Sequence, residues 1–433
     1  MTKSSFVCQQ CGYSQVGWAG KCPNCGSWGS LVETLVSPNS KFKIKNSKLK
    51  QITKPVSLSS ISSQKTQRIS SKIPELDRVL GGGLVPGQAV LIAGIPGIGK
   101  STILLQLSAN LGNVLYVAGE ESAGQIKIRS ERLGLKGSQI QILEETNVDL
   151  VIELASEQKD LKGLIIDSIQ TVYTSDLTGM AGSIGQVRES AFRLVQFAKK
   201  NRVPTFLVGH VTKEGSVAGP AVLAHVVDTV LWFDGDSSPA LRILRAHKNR
   251  FGPTDEVGIF MMQEKGLISV ENANSLFLSH YQKPISGSVV TSILQGTRPI
   301  LVEIQALVTP SKLAIPRRIA QGIDPKRLEV ILAVLGRRCG IYLNDYDAFI
   351  NVAGGISVKE TGADLAIALS IVSAYFDKPF PRILVLGEVG LMGEIRQVSG
   401  EERRIKEAKR VGFSKTLSSK DIKFVREAIK KYF

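Results

Sequence analysis

The run Gly94-Ile95-Pro96-Gly97-Ile98-Gly99-Lys100-Ser101 constrains this chain more than any other segment. It fills every fixed position of the pattern G-x4-G-K-[ST]. Its context is the required one. Residues 89–93, Ala-Val-Leu-Ile-Ala, form a short apolar run suited to a buried parallel strand, and residues 102–110 read as an amphipathic helix. In such a strand–loop–helix turn the glycines let backbone N–H groups face inward around phosphate, and the helix N-terminus adds positive potential. Lys100 reaches the β- and γ-phosphates. Ser101 is the expected Mg²⁺ ligand, with Thr102 beside it at the helix start. The candidate ATP-binding set therefore runs from Gly94 to Thr102.

Two further strands carry acids at the edge where ligands bind in an open α/β sheet. Residues 164–168, Leu-Ile-Ile-Asp-Ser, form an apolar strand ending in Asp167, placed to hold Mg²⁺ through water. Residues 114–118 end in Gly119-Glu120-Glu121. One of these glutamates is the candidate for polarising an attacking water, Glu120 ahead of Glu121, and a solvated helix-start carboxylate is the alternative. Residues 205–209 form a later strand followed by His210, a polar group positioned to sense the γ-phosphate. Two Gly-rich stretches, 173–186 and 213–221, are expected to be functional loops.

The N-terminus has a different chemistry. Cys8-Gln-Gln-Cys11-Gly and Cys22-Pro-Asn-Cys25-Gly are two C-x2-C knuckles separated by ten residues. Four thiolates presented this way suit tetrahedral Zn²⁺ in a closed structural site. So short a segment has almost no core, and the metal supplies its folding energy. Disulfides are the alternative, disfavoured by the close paired spacing and by an expected reducing cytoplasm. Residues 1–34 are read as this zinc finger. Trp18 and Trp28 lie beside the knuckles. Cys339 stands alone and reads as a small buried apolar residue.

The net charge of +16 is unevenly spread. Residues 35–74 hold nine Lys or Arg and no acid, whereas 75–270 hold 19 basic and 21 acidic residues, and 271–433 hold 24 and 16. The basic stretch, a linker over 35–70, reads as a self-repelling tether or as an electrostatic arm for nucleic acid. The body divides into an ATPase over 71–270 and a further domain over 271–433. No apolar stretch suits a membrane span and no apolar leader is seen, so a cytoplasmic protein without membrane association is expected.

Several motifs together identify a resemblance. These are the four-cysteine head, Ile73-Pro-Glu-Leu-Asp-Arg-Val-Leu-Gly-Gly-Gly83, the P-loop, Gly119-Glu-Glu-Ser122, Leu164-Ile-Ile-Asp-Ser-Ile-Gln-Thr171, Gly209-His-Val-Thr-Lys-Glu-Gly215 and Lys248-Asn-Arg-Phe-Gly252. The chain resembles the bacterial RadA (Sms) family along essentially its whole length, the last motif being the family's own. The resemblance implies an α/β fold: a zinc knuckle, a RecA-like P-loop core and a C-terminal Lon-protease-like α+β domain. It implies a homo-hexameric, DNA-dependent ATP hydrolase using ATP, Mg²⁺ and Zn²⁺. Such a motor moves on single-stranded and branched DNA, promoting branch migration in recombinational repair beside a RecA-type recombinase. It also implies that Lys248 and Arg250 cross to a neighbour's ATP as an arginine finger does. The residues alone equally allow a DNA-phosphate contact or a solvated turn. Ile95 departs from the acid common there in the family, at a variable position of the loop.

From about Ser286 onward the chain resembles the Lon protease domain, through Asn351-Val-Ala-Gly-Gly355, residues 387–396 and a helix over 401–411. Those proteases use a Ser nucleophile activated by Lys. The corresponding segment here, Lys359-Glu-Thr-Gly-Ala363-Asp364, has Ala363 where serine is expected, and Glu402 falls at the lysine position, with Arg403, Arg404 and Lys406 close by. Alanine offers no nucleophile, so Ser–Lys acyl transfer is unavailable. The domain's +8 charge suits a DNA-binding platform instead, and Lys406, Lys409 and Arg410 on one helix read either as its basic face or as a solvated helix surface. The rival functions are an ATP-switched repair adaptor without motor activity and, less favoured, an ATP-dependent Lon-type peptidase.

Overall fold

A computed structural model describes residues 3–8, 13–36, 67–135, 139–210, 218–235, 241–271, 274, 277–278 and 284–433. Cys11, nearly all of the 35–70 linker and residues 213–217 lie outside it. The chain folds into two compact units. The first comprises 1–234, 244–254 and 262–267; the second comprises 235–243, 255–261 and 268–433.

The first unit is built on a parallel sheet. Six consecutive parallel strands of a nine-stranded sheet lie in the order Thr229–Gly235, Ala89–Gly94, Thr205–His210, Gly163–Asp167, Val114–Ala118 and Ile140–Leu143. Parallel strands buried on both faces read as continuous apolar runs rather than alternating ones. The strands at 89–94, 114–118 and 163–167 are buried at every residue. Because all six run the same way, their C-terminal ends share one edge, and the P-loop and both acids gather there. This is an α/β fold of RecA type.

Helix Lys100–Leu111 starts two residues earlier than the sequence pattern suggests, with Gly99 as its cap. Lys100 thus belongs to the first helical turn. Helix Ile184–Asn201 also takes the end of the expected 173–186 loop. The reason is Gln186. It is buried, and its amide donates to the carbonyls of Thr174, Leu177 and Gly179, so the first helical turn pins the loop before it. Likewise Ala218–Val226 is helical where a loop to Ala221 is expected.

The head has its own three-stranded antiparallel sheet, with strand Lys3–Cys8 between Ser14–Gln15 and Leu31–Val36. The second unit contains a six-stranded mixed sheet in the order Arg318–Gln321, Tyr346–Val352, Arg298–Pro310, Ser288–Gln295, Leu384–Val385 and Thr416–Leu417. Helix Asp364–Phe376 is buried over most of its length against it. Ala363, immediately before that helix, is fully buried. The nearby buried cation is Arg404: its guanidinium donates to both carboxylate oxygens of Glu360 at 2.7 and 2.6 Å. Glu402 faces solvent, as do Lys406, Lys409 and Arg410 on the same helix, and Arg410 pairs with Glu407. Among the described residues no helix is long and apolar enough to cross a membrane.

Candidate active site and metal centre

The P-loop leaves the sheet at Gly94, exposes Ile95, Pro96 and Gly97 at its tip, and turns back through buried Ile98 to Gly99. Lys100 folds over the loop, and its ammonium donates to the carbonyls of Gly94 at 2.8 Å and Ile95 at 3.0 Å. Burial lowers its pKa to about 8, against the opposing pull of Asp167 and Glu120. Ser101 and Thr102 follow, both half-buried, in the first helical turn.

Asp167 is buried at the end of its strand, and the phenol of Tyr116 donates to its Oδ2 at 2.5 Å. Burial and the neighbouring Asp167 charge hold that phenol well above its ordinary range, so it stays a donor. The peptide between Asp167 and Ser168 is cis. Buried Ser168 donates its hydroxyl to Glu120 Oε1 at 2.5 Å. His210 Nε2 approaches the same oxygen at 3.2 Å, within ion-pair reach but off the hydrogen-bond line, so both its ring nitrogens are buried without a hydrogen-bond partner. Glu121 turns away and pairs with Arg129 on the next helix. Gly119 is sterically obligatory, since a Cβ there would sit 1.9 Å from Thr171 Oγ1.

Lys100, Asp167, Glu120 and His210 therefore meet at one sheet edge. Lys248 and Arg250 do not join them. Lys248 caps the end of helix Ala218–Val226 by donating to the carbonyls of Ala224 and Val227 at 2.6 and 2.7 Å. Arg250 lies 3.3 Å from Asp228, whose own carboxylate accepts from the N–H of Ala89. Ala89 begins the strand that ends at Gly94. At about 3.3 Å per residue, this pair sits at the opposite sheet edge, about 16 Å from the P-loop of its own copy.

Between Lys248 and Arg250, Asn249 is structural. Its amide lies within hydrogen-bonding reach of the carbonyls of Val79, Leu80 and Pro253, and its oxygen accepts from Phe251 N–H. Gly252 packs on Gly81 at a spacing that excludes a side chain. Two motifs far apart in sequence thus form one joint.

In the head, the Sγ atoms of Cys8, Cys22 and Cys25 all lie within 4.8 Å of one another, Cys8 and Cys25 at 3.6 Å. Zn–S bonds of about 2.3 Å in a tetrahedron place sulfurs about 3.8 Å apart, so the three thiols fit that ion. No disulfide joins them. Gly26 after the second knuckle adopts φ of 73° and donates to the carbonyl of Cys22, folding the backbone around the sulfurs. Cys11, the fourth expected ligand, is outside the described residues.

A family model for the KaiC ATPase matches residues 69–275, and one for a rubredoxin metal-binding domain matches residues 6–33. The DNA repair protein RadA of Bacillus subtilis strain 168 is 47% identical over 423 residues, covering 96% of this chain and 92% of that protein. The chain belongs to the RadA family. RadA of Listeria monocytogenes is 47% identical over 423 residues, 96% of this chain and 92% of its own. RadA of Streptococcus pyogenes serotype M1 is 47% identical over 427 residues, with coverages of 97% and 93%. This RadA-family chain thus joins a RecA/KaiC-type P-loop ATPase to a zinc-ribbon head. The sequence pattern did not single out Tyr116, Ser168 or Asp228. Tyr116 and Asp228 lie inside or beside apolar runs, and only the folded sheet brings them to their partners.

Proposed function

We propose that this chain is an ATP-driven motor on single-stranded and branched DNA, acting in recombinational repair by branch migration beside a RecA-type recombinase. In this reading Gly94 to Thr102 bind ATP, Lys100 meets its β- and γ-phosphates, and Ser101 and Asp167 hold Mg²⁺, a hard cation suited to a hydroxyl and a carboxylate. The metal's contribution is neutralising charge on the transferring phosphoryl group. Tyr116 orients Asp167. Glu120 orients the attacking water, with Ser168 fixing the carboxylate and His210 beside it to register the γ-phosphate.

The observation that carries the proposal is the separation of two charged sets to opposite sheet edges. Lys248 and Arg250 lie too far from their own P-loop to stabilise its ATP. In a homo-hexameric ring one copy's finger edge faces the next copy's P-loop edge, so turnover requires neighbours and couples to their movement. The second unit is read as a Lon-like domain, over roughly 271–433, that serves as a basic platform. Buried Ala363 offers no nucleophile, and Arg404 is fully engaged with Glu360 and backbone carbonyls. Cys8, Cys11, Cys22 and Cys25 would hold structural Zn²⁺.

The test is ATP turnover with added single-stranded, duplex and forked DNA. Stimulation by single-stranded DNA, abolished in Lys100→Ala, is expected. Turnover indifferent to DNA would overturn the motor, and ATP binding without appreciable turnover would favour a switched adaptor.

A further inference from the structure

Lys199 is the third cation at the edge that carries Lys248 and Arg250. It sits in the last turn of helix Ile184–Asn201. Its ammonium lies 3.7 Å from Asp228 Oδ1, the oxygen that Arg250 approaches at 3.3 Å. The placement is built rather than incidental. Gly87 lets the turn before the central strand touch this helix end, where a Cβ would meet Ala198 O at 3.1 Å and Lys199 Cα at 3.5 Å.

Asp228 is the organiser. Its side chain is 2% exposed, whereas those of Lys199 and Arg250 are each 52% exposed. One carboxylate oxygen accepts from Ala89 N–H at 3.1 Å, and the main-chain carbonyl accepts from Arg250 N–H at 3.2 Å. The buried acid is thus clamped to the sheet and holds two exposed cations loosely by their inner sides. Lys248 stands close enough that Arg250 and Lys199 both help lower its pKa, after burial. Three cations near one carboxylate leave a net positive charge, with Lys199 and Arg250 exposed and Lys248 turned inward onto the helix-end carbonyls of Ala224 and Val227.

We propose that Lys199, Lys248 and Arg250 form a single phosphate-binding cluster, with Asp228 as the positioning residue that holds it together. The proposal rests on the finger reading given above and extends it: Lys199 contacts the same phosphate oxygens as Arg250. The favoured source is the triphosphate held by a second copy, because the cluster cannot reach its own P-loop. Nucleic-acid backbone phosphate offers the same chemistry.

The test uses the full chain and the exposed Lys199, since altering buried Asp228 risks unfolding. Steady-state ATP turnover is measured for the unaltered chain, Lys199→Ala and Lys199→Arg, with and without oligothymidylate. Affinity for that oligomer is measured across salt. Losing one charge-assisted contact should lower kcat on the order of ten-fold, with KM for ATP little changed and Lys199→Arg restoring most of the rate. If turnover without oligomer is unchanged but the log–log salt slope falls by about 0.7, the cluster stands, its phosphate comes from nucleic acid, and the second-copy source is overturned. If neither quantity changes, the cluster is overturned. Should Arg250→Ala still lower kcat in that case, the finger reading survives without Lys199.

Discussion

Two adjacent glutamates follow the strand Val114–Ala118, and their surroundings separate them. Glu120 takes the Ser168 hydroxyl and faces Lys100, while Glu121 is committed to Arg129. Glu120→Gln should therefore lower turnover by about 10²-fold or more with ATP binding retained. Glu121→Gln removes only a partly exposed pair and should change turnover by less than about three-fold. Steady-state rates with a binding titration distinguish them. Lys100 gives a second prediction at this scale. Its ordinary pKa is 10.5, and burial brings it to about 8. Below pH 8 the buried charge opposes folding in full. Between 8 and 10.5 the unfolded chain holds a proton the folded chain has lost, so this penalty is relieved as pH rises. ATP binding runs the other way, because it needs the ammonium. Affinity for ATP, titrated on either side of pH 8, should fall on the alkaline side, and Lys100→Arg should flatten that limb.

Among the elements, those with local signals were readable in advance. The P-loop, the Asp167 strand and the cysteine knuckles each lie within a few consecutive residues, where spacing encodes geometry. The supporting groups were not readable, because their partners are distant in sequence. Tyr116 meets Asp167 across neighbouring strands, Asp228 meets Ala89 across the sheet, and Asn249 meets Val79 and Leu80 at the other end of the domain. Asn249 illustrates the difference. Read in its motif it stands between two functional cations, yet folded it is the joint between two segments. Asn249→Ala removes the amide's bonds to the carbonyls of Val79, Leu80 and Pro253 and should cost about 1 kcal/mol. That loss should appear as a lower melting temperature of the ATPase unit. The head is a separate case. Cys8, Cys22, Leu31 and few other residues form its core, so the proposed Zn²⁺ would supply much of its folding energy. A strong chelator should shift the fluorescence of exposed Trp18 and Trp28, while DNA-free ATP turnover persists.

Over the whole molecule, charge and chemistry are partitioned. Residues 75–270, which carry the ATP site, are close to neutral, and the +16 excess lies in the basic 35–74 stretch and in 271–433. Electrostatic affinity for nucleic acid scales with the phosphates neutralised, each contributing about 0.7 to the log–log salt slope on single strands. Seven lysines, at 41, 43, 45, 48, 50, 54 and 65, sit in the linker, whereas Arg68 is spent bracing the carbonyls of Leu80 and Gly83. Replacing the seven by glutamine leaves the ATP site untouched, because none of them belongs to it. DNA-free turnover should stay within about two-fold, and the salt slope for a single-stranded oligomer should drop by several units if the linker holds DNA. An unchanged slope would assign the electrostatic grip to 271–433, whose exposed Lys406 and Lys409 are the next residues to neutralise.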